Sequence, residues 1–235
     1  MKYIRLALLI FDYFTQKAIF KKIKTILRDK INTVIDVGAH EGEFALNFNK
    51  KFKTEKIISF EPNSKVFKIL KRNIFKYKNM HAINFGVGSK EEKKMLNINT
   101  ESSSSTLNEL STESKYYKKK FFLINLFKGK IIKDRLEINI IKLDDFIYQN
   151  KISSIDLLKI DTEGFEFDVL KGANNNLKLI KAIYFEHHFD NMIIKNYTLS
   201  NIHDYLVQNN FKKYFKIKMK FRKSFEYIYV NNHLI

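Results

Sequence analysis

The sequence predicts an α/β protein built on a doubly wound, mostly parallel sheet, with an antiparallel C-terminal strand and an N-terminal helical extension. Three observations carry this. From Ile31 onward, β-branched apolar runs alternate with amphipathic helical stretches, the signature of strand–helix–strand units. Two of the runs, residues 33–37 and 157–161, each bring an acid to a glycine-bearing turn, Asp36 before Gly38 and Asp161 before Gly164. Parallel strands ending this way lie side by side and open their ligand crevice there. Finally, alternating apolar and cationic residues near the C-terminus have the period of a half-buried strand.

Taken in order, residues 1–30 form the extension and residues 31–235 the main domain. The apolar run Leu6–Phe11 stops at Asp12, far short of the ~20 residues of a membrane span. No small-residue cleavage site follows, so a signal peptide is not expected. Ile19, Ile23, Ile26 and Leu27 share a helical face, with Lys17, Lys21, Lys24 and Arg28 on others. The preferred reading is a helix packed on the domain or on a partner chain. The alternative is a basic amphipathic helix that contacts anionic membrane through residues 1–28, at the inner face of a membrane in an otherwise cytoplasmic protein.

Thr33–Val37 reads as the first strand, turning through Gly38–Gly42 into a helix with Phe44, Ala45 and Phe48. Lys56–Phe60 is the second, ending at Glu61-Pro62-Asn63. Ser64 is the expected N-cap of a helix with Val66, Phe67, Leu70 and Ile74 on one face. Met80–Phe85 is the third strand, ending at Gly86-Val87-Gly88. Residues 89–150 then break the rhythm with a polar patch, Ser102–Thr106, a surface excursion over Lys115–Lys130, and a strand around Ile138–Lys142. Asp144 or Asp145 is expected to cap the short helix after it. An insertion of this size commonly builds a lid or acceptor wall. The sheet resumes at 157–161, followed by a helix from Phe165 that Gly172 ends, a fifth strand over Ala182–Phe185 and a helix over Asn201–Gln208. Residues 215–222 and 226–230 read as the antiparallel pair, the first bearing a row of cations that guards an edge.

At 235 residues, with 45% hydrophobic residues, the chain suits one domain with decoration. The absence of cysteine excludes disulfides and thiolate metal sites. A net charge of +18 raises the question of nucleic acid. The lysines are spread along the whole chain, which favours compositional bias, so a nucleic-acid partner is not expected.

The two acid turns carry the chemistry. Gly38 allows close backbone approach, and the helix after Gly42 offers unpaired N–H groups. Glu61 ends the next strand, about 20 residues on, where a carboxylate reads the hydroxyls of a ribose. His40 and the spacing depart from the pyrophosphate pattern Gly-x-Gly-x-x-Gly, which favours a nucleoside ligand without pyrophosphate, and S-adenosyl-L-methionine fits. At the other turn, Asp161 and Glu163 are the expected reactive acids. Glu186 and His188 share a strand face and His187 points opposite, with either histidine a candidate base. Asp161, Glu163 and His188 are also the candidate ligands of a divalent metal. Glu166 reads as a helix-surface residue.

Val34-Ile-Asp-Val-Gly-Ala-His-Glu-Gly42, Ser59-Phe-Glu-Pro62, Leu143-Asp-Asp145, Leu158-Lys-Ile-Asp-Thr-Glu-Gly-Phe-Glu166, Val169-Leu-Lys-Gly172 and Glu186-His-His188 resemble the FkbM-type methyltransferases over residues 31–190. The resemblance implies a class I methyltransferase fold of Rossmann-like type and O-methylation, often of a sugar in a glycan, glycolipid or related metabolite. It implies that Asp36, Gly38, His40 and Gly42 surround the methionine part of the cofactor, that Glu61 holds the ribose, and that Asn63 and Val87 flank the adenine. The family usually has Asn at the place of His40, and a neutral imidazole is expected there beside a sulfonium. The resemblance also implies a carbohydrate or glycoconjugate acceptor, with specificity expected in the 89–150 insertion. The alternative readings are an RNA methyltransferase, prompted by the positive charge, and a non-catalytic basic module that binds anionic glycan or membrane.

Overall fold

The structure, a computed structural model, describes residues 2–28, 30–100, 102–119, 131–220 and 222–235, with side chains of the first helix described from Phe14 onward. The side chains of the Leu6–Phe11 run, most of the Lys115–Lys130 excursion and Phe221 lie outside the described residues. Among the described residues, no helix is long and apolar enough to cross a membrane.

A seven-stranded sheet organises the chain in the order β3-β2-β1-β7-β8-β10-β9. Its strands are β1 (Lys30–Val37), β2 (Lys53–Phe60), β3 (Met80–Ile83), β7 (Ile155–Ile160), β8 (Ile180–His188), β9 (Phe211–Lys218) and β10 (Ser224–Asn231). The pairs from β3 to β8 are parallel, and β10 runs antiparallel to both β8 and β9. The chain reverses its direction of travel across the sheet between β1 and β7. That makes their carboxyl ends the switch point where a crevice opens.

Strand periodicity divides the core into two layers. Ile58, Leu158, Ile183 and Phe185 face one layer, while their neighbours Ile57, Leu157, Ala182 and Tyr184 face the other. Burial on both faces is what favours continuous apolar runs in a parallel sheet. The second layer is closed by α2 (Glu43–Lys51) and by α1 (Lys2–Leu27). Ile19, Phe20, Ile23 and Leu27 of α1 are buried there, and the Phe20 ring packs edge-on against Phe44, Phe48 and Phe52. Further helices among the described residues include α3 (Ser64–Ile74), α4 (Leu143–Gln149), α5 (Glu166–Gly172) and α6 (Leu199–Gln208).

Several boundaries differ from expectation for identifiable reasons. The third sheet strand stops at Ile83, because the Asn84 amide donates to the carbonyls of Glu61 and Pro62 and turns the chain aside. Gly86–Gly88 (β4) then joins a separate three-stranded sheet with β5 (Glu92–Asn99) and β6 (Ile132–Lys142). The insertion therefore has its own sheet, and the expected strand around Ile138 is the end of a longer one. Asn63, not Ser64, caps α3 through its side chain, which accepts from the Lys65 N–H. Asp144 caps no helix of its own. Its carboxylate accepts from the N–H groups of Asn175 and Asn176 and holds the 3-10 turn Asn174–Leu179. The antiparallel pair begins four residues earlier than the alternation suggests, anchored by the buried Phe211, and Met219 already belongs to the turn.

Candidate active site

The loop after β1 is pressed against the end of β7. Gly38 has φ +76°, and a Cβ built on it would lie 1.9 Å from the Asp161 carbonyl oxygen. The N–H groups of Gly38 and Ala39 both donate to the Phe60 carbonyl, so β1, β2 and β7 deliver their ends to one place. Glu61 is buried in that place. One carboxylate oxygen accepts from the His40 N–H at 2.9 Å and the other from the Asn63 N–H at 2.8 Å. A carboxylate has about four lone-pair sites, so each oxygen keeps acceptor capacity toward a diol. Burial pushes the Glu61 carboxyl upward against the pull of those two N–H groups.

A cavity of about 630 Å³ opens here. Gly38, His40, Glu61, Asn63 and Val87 line it together with Ser103, Asp161 and Glu163. Two residues expected at the cofactor lie outside this lining. Gly42 is the N-cap of α2 at φ 92°, and its Cα packs on Leu70 and Ile74. Asp36 is fully buried beneath the loop, 3.0 Å from Lys159 Nζ. The surroundings of His40 work against the neutral state expected of it. Burial alone would lower its pKa, but the hydrogen bond and charge of Glu43, with Glu61 and Glu41, bring the net direction upward.

Lys159 joins the two acid turns. Its ammonium lies 3.5 Å from Asp161 and donates to the Gly38 carbonyl at 3.2 Å. Burial works against its charge, and Asp36 and Asp161 overcome it, so the group stays cationic. The Asp161 carboxylate is 38% exposed at the cavity. Glu163, at φ 50°, is buried and pairs with His188 Nε2 at 3.0 Å. The insertion pins this turn from outside: Thr106 Oγ1 donates to the Glu163 carbonyl and the Asn108 amide to the Gly164 carbonyl, both at 2.6 Å.

His188 also lies 3.6 Å from Glu186. Burial opposes its charge, yet Glu163 and Glu186 raise its pKa to about 9. At neutral pH it is an imidazolium without a free lone pair, which corrects its candidacy as base. His187 fails for the opposite reason. Burial, Lys195 and His188 push it down to about 3, so it is neutral, but it packs against the Tyr197 ring and lines no part of the cavity. The metal candidates Asp161, Glu163 and His188 do not make a centre. Among the described residues no three His, Asp or Glu are arranged to hold a metal ion, and the His188 nitrogen is engaged by Glu163.

Glu166 is not a surface residue. It is 1% exposed and accepts from the Gly164 N–H, Thr162 and Tyr197, so it fixes the turn that presents Asp161 and Glu163. Glu226 is the residue that sequence reasoning missed. It stands directly opposite Glu186 across the β8–β10 ladder, and both are buried. Burial, then Asp161 and Glu163, raise Glu186 to about 7. Burial and Glu186 raise Glu226 well above the ordinary carboxylate range, so the pair retains a proton at neutral pH. The available signal was an acid inside the apolar run Phe225–Val230.

Comparison with known proteins fits this geometry. Residues 36–213 match the family model of the methyltransferase FkbM domain. Methyltransferase 1 of Beauveria bassiana is 25% identical over 147 residues, covering 60% of this chain and 58% of that protein. Methyltransferase sdnD of Sordaria araneosa is 26% identical over 171 residues, covering 65% of each. The chain thus spans less than two-thirds of the length of these relatives. Among solved structures, methyltransferase FkbM from Methylobacillus flagellatus KT superposes with a TM-score of 0.54 at 16% identity, over 87% of this chain and 45% of that one. M. capricolum TrmK in complex with S-adenosylhomocysteine gives 0.51 at 12% identity, over 90% of this chain and 67% of that one. At such identities the likeness is one of fold, the α/β class I methyltransferase fold. With more than half its length matched by the family model, the chain belongs to the FkbM methyltransferase family.

Proposed function

We propose that the chain is an S-adenosyl-L-methionine-dependent O-methyltransferase whose acceptor is a sugar hydroxyl of a glycan, glycolipid or related metabolite. The observation that carries the cofactor reading is Glu61, buried at the cavity wall with each oxygen held by one backbone N–H and open to a second donor. Gly38 supports it, since only a residue without a side chain lets the loop that lines the cavity close on the Asp161 carbonyl. When bound, S-adenosylmethionine supplies a methyl group made electrophilic by its sulfonium. Gly38 and His40 then hold the amino-acid end, Glu61 the ribose diol, and Asn63 and Val87 flank the base. Glu43 and Glu61 beside the His40 imidazole would offset a positive charge on it.

The acids in the lining suit a hydroxylated acceptor. Transfer to a hydroxyl is chiefly a matter of positioning, with a base to take the proton. Asp161 is the half-exposed carboxylate at the cavity, held in place by Lys159. Glu163 stands next to it, oriented by His188, and Ser103 offers a hydroxyl across the mouth. Asp161 is the residue assigned to accept the hydroxyl proton, and Glu163 orients the sugar. No metal enters this reading.

Isothermal titration with S-adenosylmethionine tests the first half: micromolar binding is expected, and no binding by the folded protein would sink it. Mass-shift screening of sugars and glycolipids tests the second. Methylation confined to protein, nitrogen or RNA acceptors would replace the sugar assignment.

A further inference from the structure

A second surface takes no part in the pocket. Where α1 crosses the C-terminal end of α2, a groove of about 1020 Å³ has an apolar floor that includes Phe14, Ala18 and Phe52, and a rim that includes Lys17, Lys21 and Lys51. Phe14 is 59% exposed. We propose that this face docks the protein on an anionic membrane surface, with the lysines against headgroup phosphates and the apolar floor against acyl chains. The proposal is independent of the methyl-transfer reading.

Lysines elsewhere are of two kinds, some paired with an acid and others, such as Lys53, Lys56, Lys212 and Lys213, with no ion pair among the described residues. Lys30, Lys65, Lys93, Lys118 and Lys181 each pair with an acid. Lys17, Lys21 and Lys51 form no ion pair among the described residues, although Lys51 lies over the Phe20 ring. Residues 14–28 carry five cations and no acid. What distinguishes this stretch from the equally acid-free run 211–223 is the apolar groove that its lysines border. The charge of this face is therefore complementary to a surface of phosphates.

Packing fixes the orientation. Ile19, Phe20, Ile23 and Leu27 are locked into the core, so the helix cannot roll its lysines away from the surface. The same helix continues upstream through the apolar segment Leu6–Phe11. Cations flanking exposed aromatic surface on a rigid helix are the components of interfacial binding. A nucleic acid would answer the lysines and leave the apolar floor in water. A bilayer answers both.

The test is flotation of the full chain with vesicles of pure phosphatidylcholine and with vesicles containing roughly a third phosphatidylglycerol. Removing residues 1–28 would tear out Ile19, Phe20, Ile23 and Leu27, so point substitutions are the proper variants. Flotation is expected only with the anionic vesicles and is expected to fall steeply with salt. Lys17→Glu with Lys21→Glu should weaken it on the order of 100-fold without changing the thermal midpoint. Phe14→Ser should weaken it about tenfold while keeping the salt slope. Absence of flotation overturns the proposal, as does flotation that survives the charge reversal. So does sedimentation showing that the same substitutions break a dimer, or that they abolish binding to RNA while vesicles are ignored.

Discussion

The two walls of the pocket are built by different means. The wall from β1 and β2 is backbone: a positive-φ turn at Gly38, paired N–H groups, and one carboxylate held between them. The other wall is Asp161 and Glu163 in the turn after β7, backed by a network of charged side chains, Lys159, Glu186, His188 and Glu226, gathered from β7, β8 and β10. A backbone cradle is specified by local spacing. A charge network depends on which strands become neighbours, and its protonation is decided by burial.

The most severe way to break the first wall is Gly38→Ala. The new Cβ would meet the Asp161 carbonyl at 1.9 Å in a backbone conformation that alanine rarely adopts. A loss on the order of 4 kcal/mol is expected, which lowers the thermal midpoint by roughly 8–16 °C for a chain of this size and abolishes cofactor titration. A normal melt with intact binding would show that the loop is free to retreat from β7.

That asymmetry also explains what could be read from the chain. The parallel order, the acid turns and Glu61 were legible because each rests on a short spacing: strand, acid, glycine, helix. The pocket lining at Gly38 and Glu61 follows from it, while His40, Asn63 and Val87 are expected there only through the family resemblance. What was illegible depends on distance. Glu226 gains meaning only by facing Glu186 across a ladder. Glu166 looks like a helix-surface acid until Tyr197, 31 residues later, folds back over it. His188 was a natural base by type, but its neighbours make it a cation. The small sheet of the insertion escaped notice because β6 is exposed or half-exposed over most of its length, so no clean alternation marks it.

Two isosteric changes separate the walls by function. Asp161→Asn should leave S-adenosylmethionine binding within about twofold and cut turnover by roughly 10²–10⁴, because only the proton acceptor is lost. Glu61→Gln should do the reverse in binding, weakening the cofactor roughly 10–100-fold, since an amide nitrogen cannot accept from both a backbone N–H and a ribose hydroxyl. Calorimetry together with single-turnover rates measures both. If Asp161→Asn weakened cofactor binding as much as Glu61→Gln, the division between the walls would fail.

The charged wall predicts a pH dependence of stability. His188 titrates near 6.5 when unfolded and at about 9 when folded. Its contribution is complete below about 6.5 and is lost as pH rises through 9. Glu186, raised from 4.5 to about 7, acts in the same direction at lower pH: the folded chain holds the extra proton, and stability falls as pH rises through 7. Thermal melts from pH 6.5 to 9 should therefore decline, with roughly 1–3 kcal/mol of that decline attributable to His188. His188→Gln should flatten the profile over this window. An unchanged slope would mean that Glu163 does not hold the proton on His188.

The smallest effect tests where the acceptor meets the wall. Ser103 lines the cavity from the insertion and is itself exposed, so Ser103→Ala should leave the melt unchanged. If its hydroxyl hydrogen-bonds a sugar, the loss is that of one neutral bond at a solvated rim, about 0.5–1.5 kcal/mol, read as a two- to tenfold rise in acceptor KM. Cofactor affinity and kcat should stay as they were, because Glu61 is held by the His40 and Asn63 N–H groups and Asp161 by Lys159, without Ser103. An altered cofactor affinity with an unchanged acceptor KM would instead move Ser103 to the cradle side, and the insertion would then close over the cofactor instead of receiving the sugar.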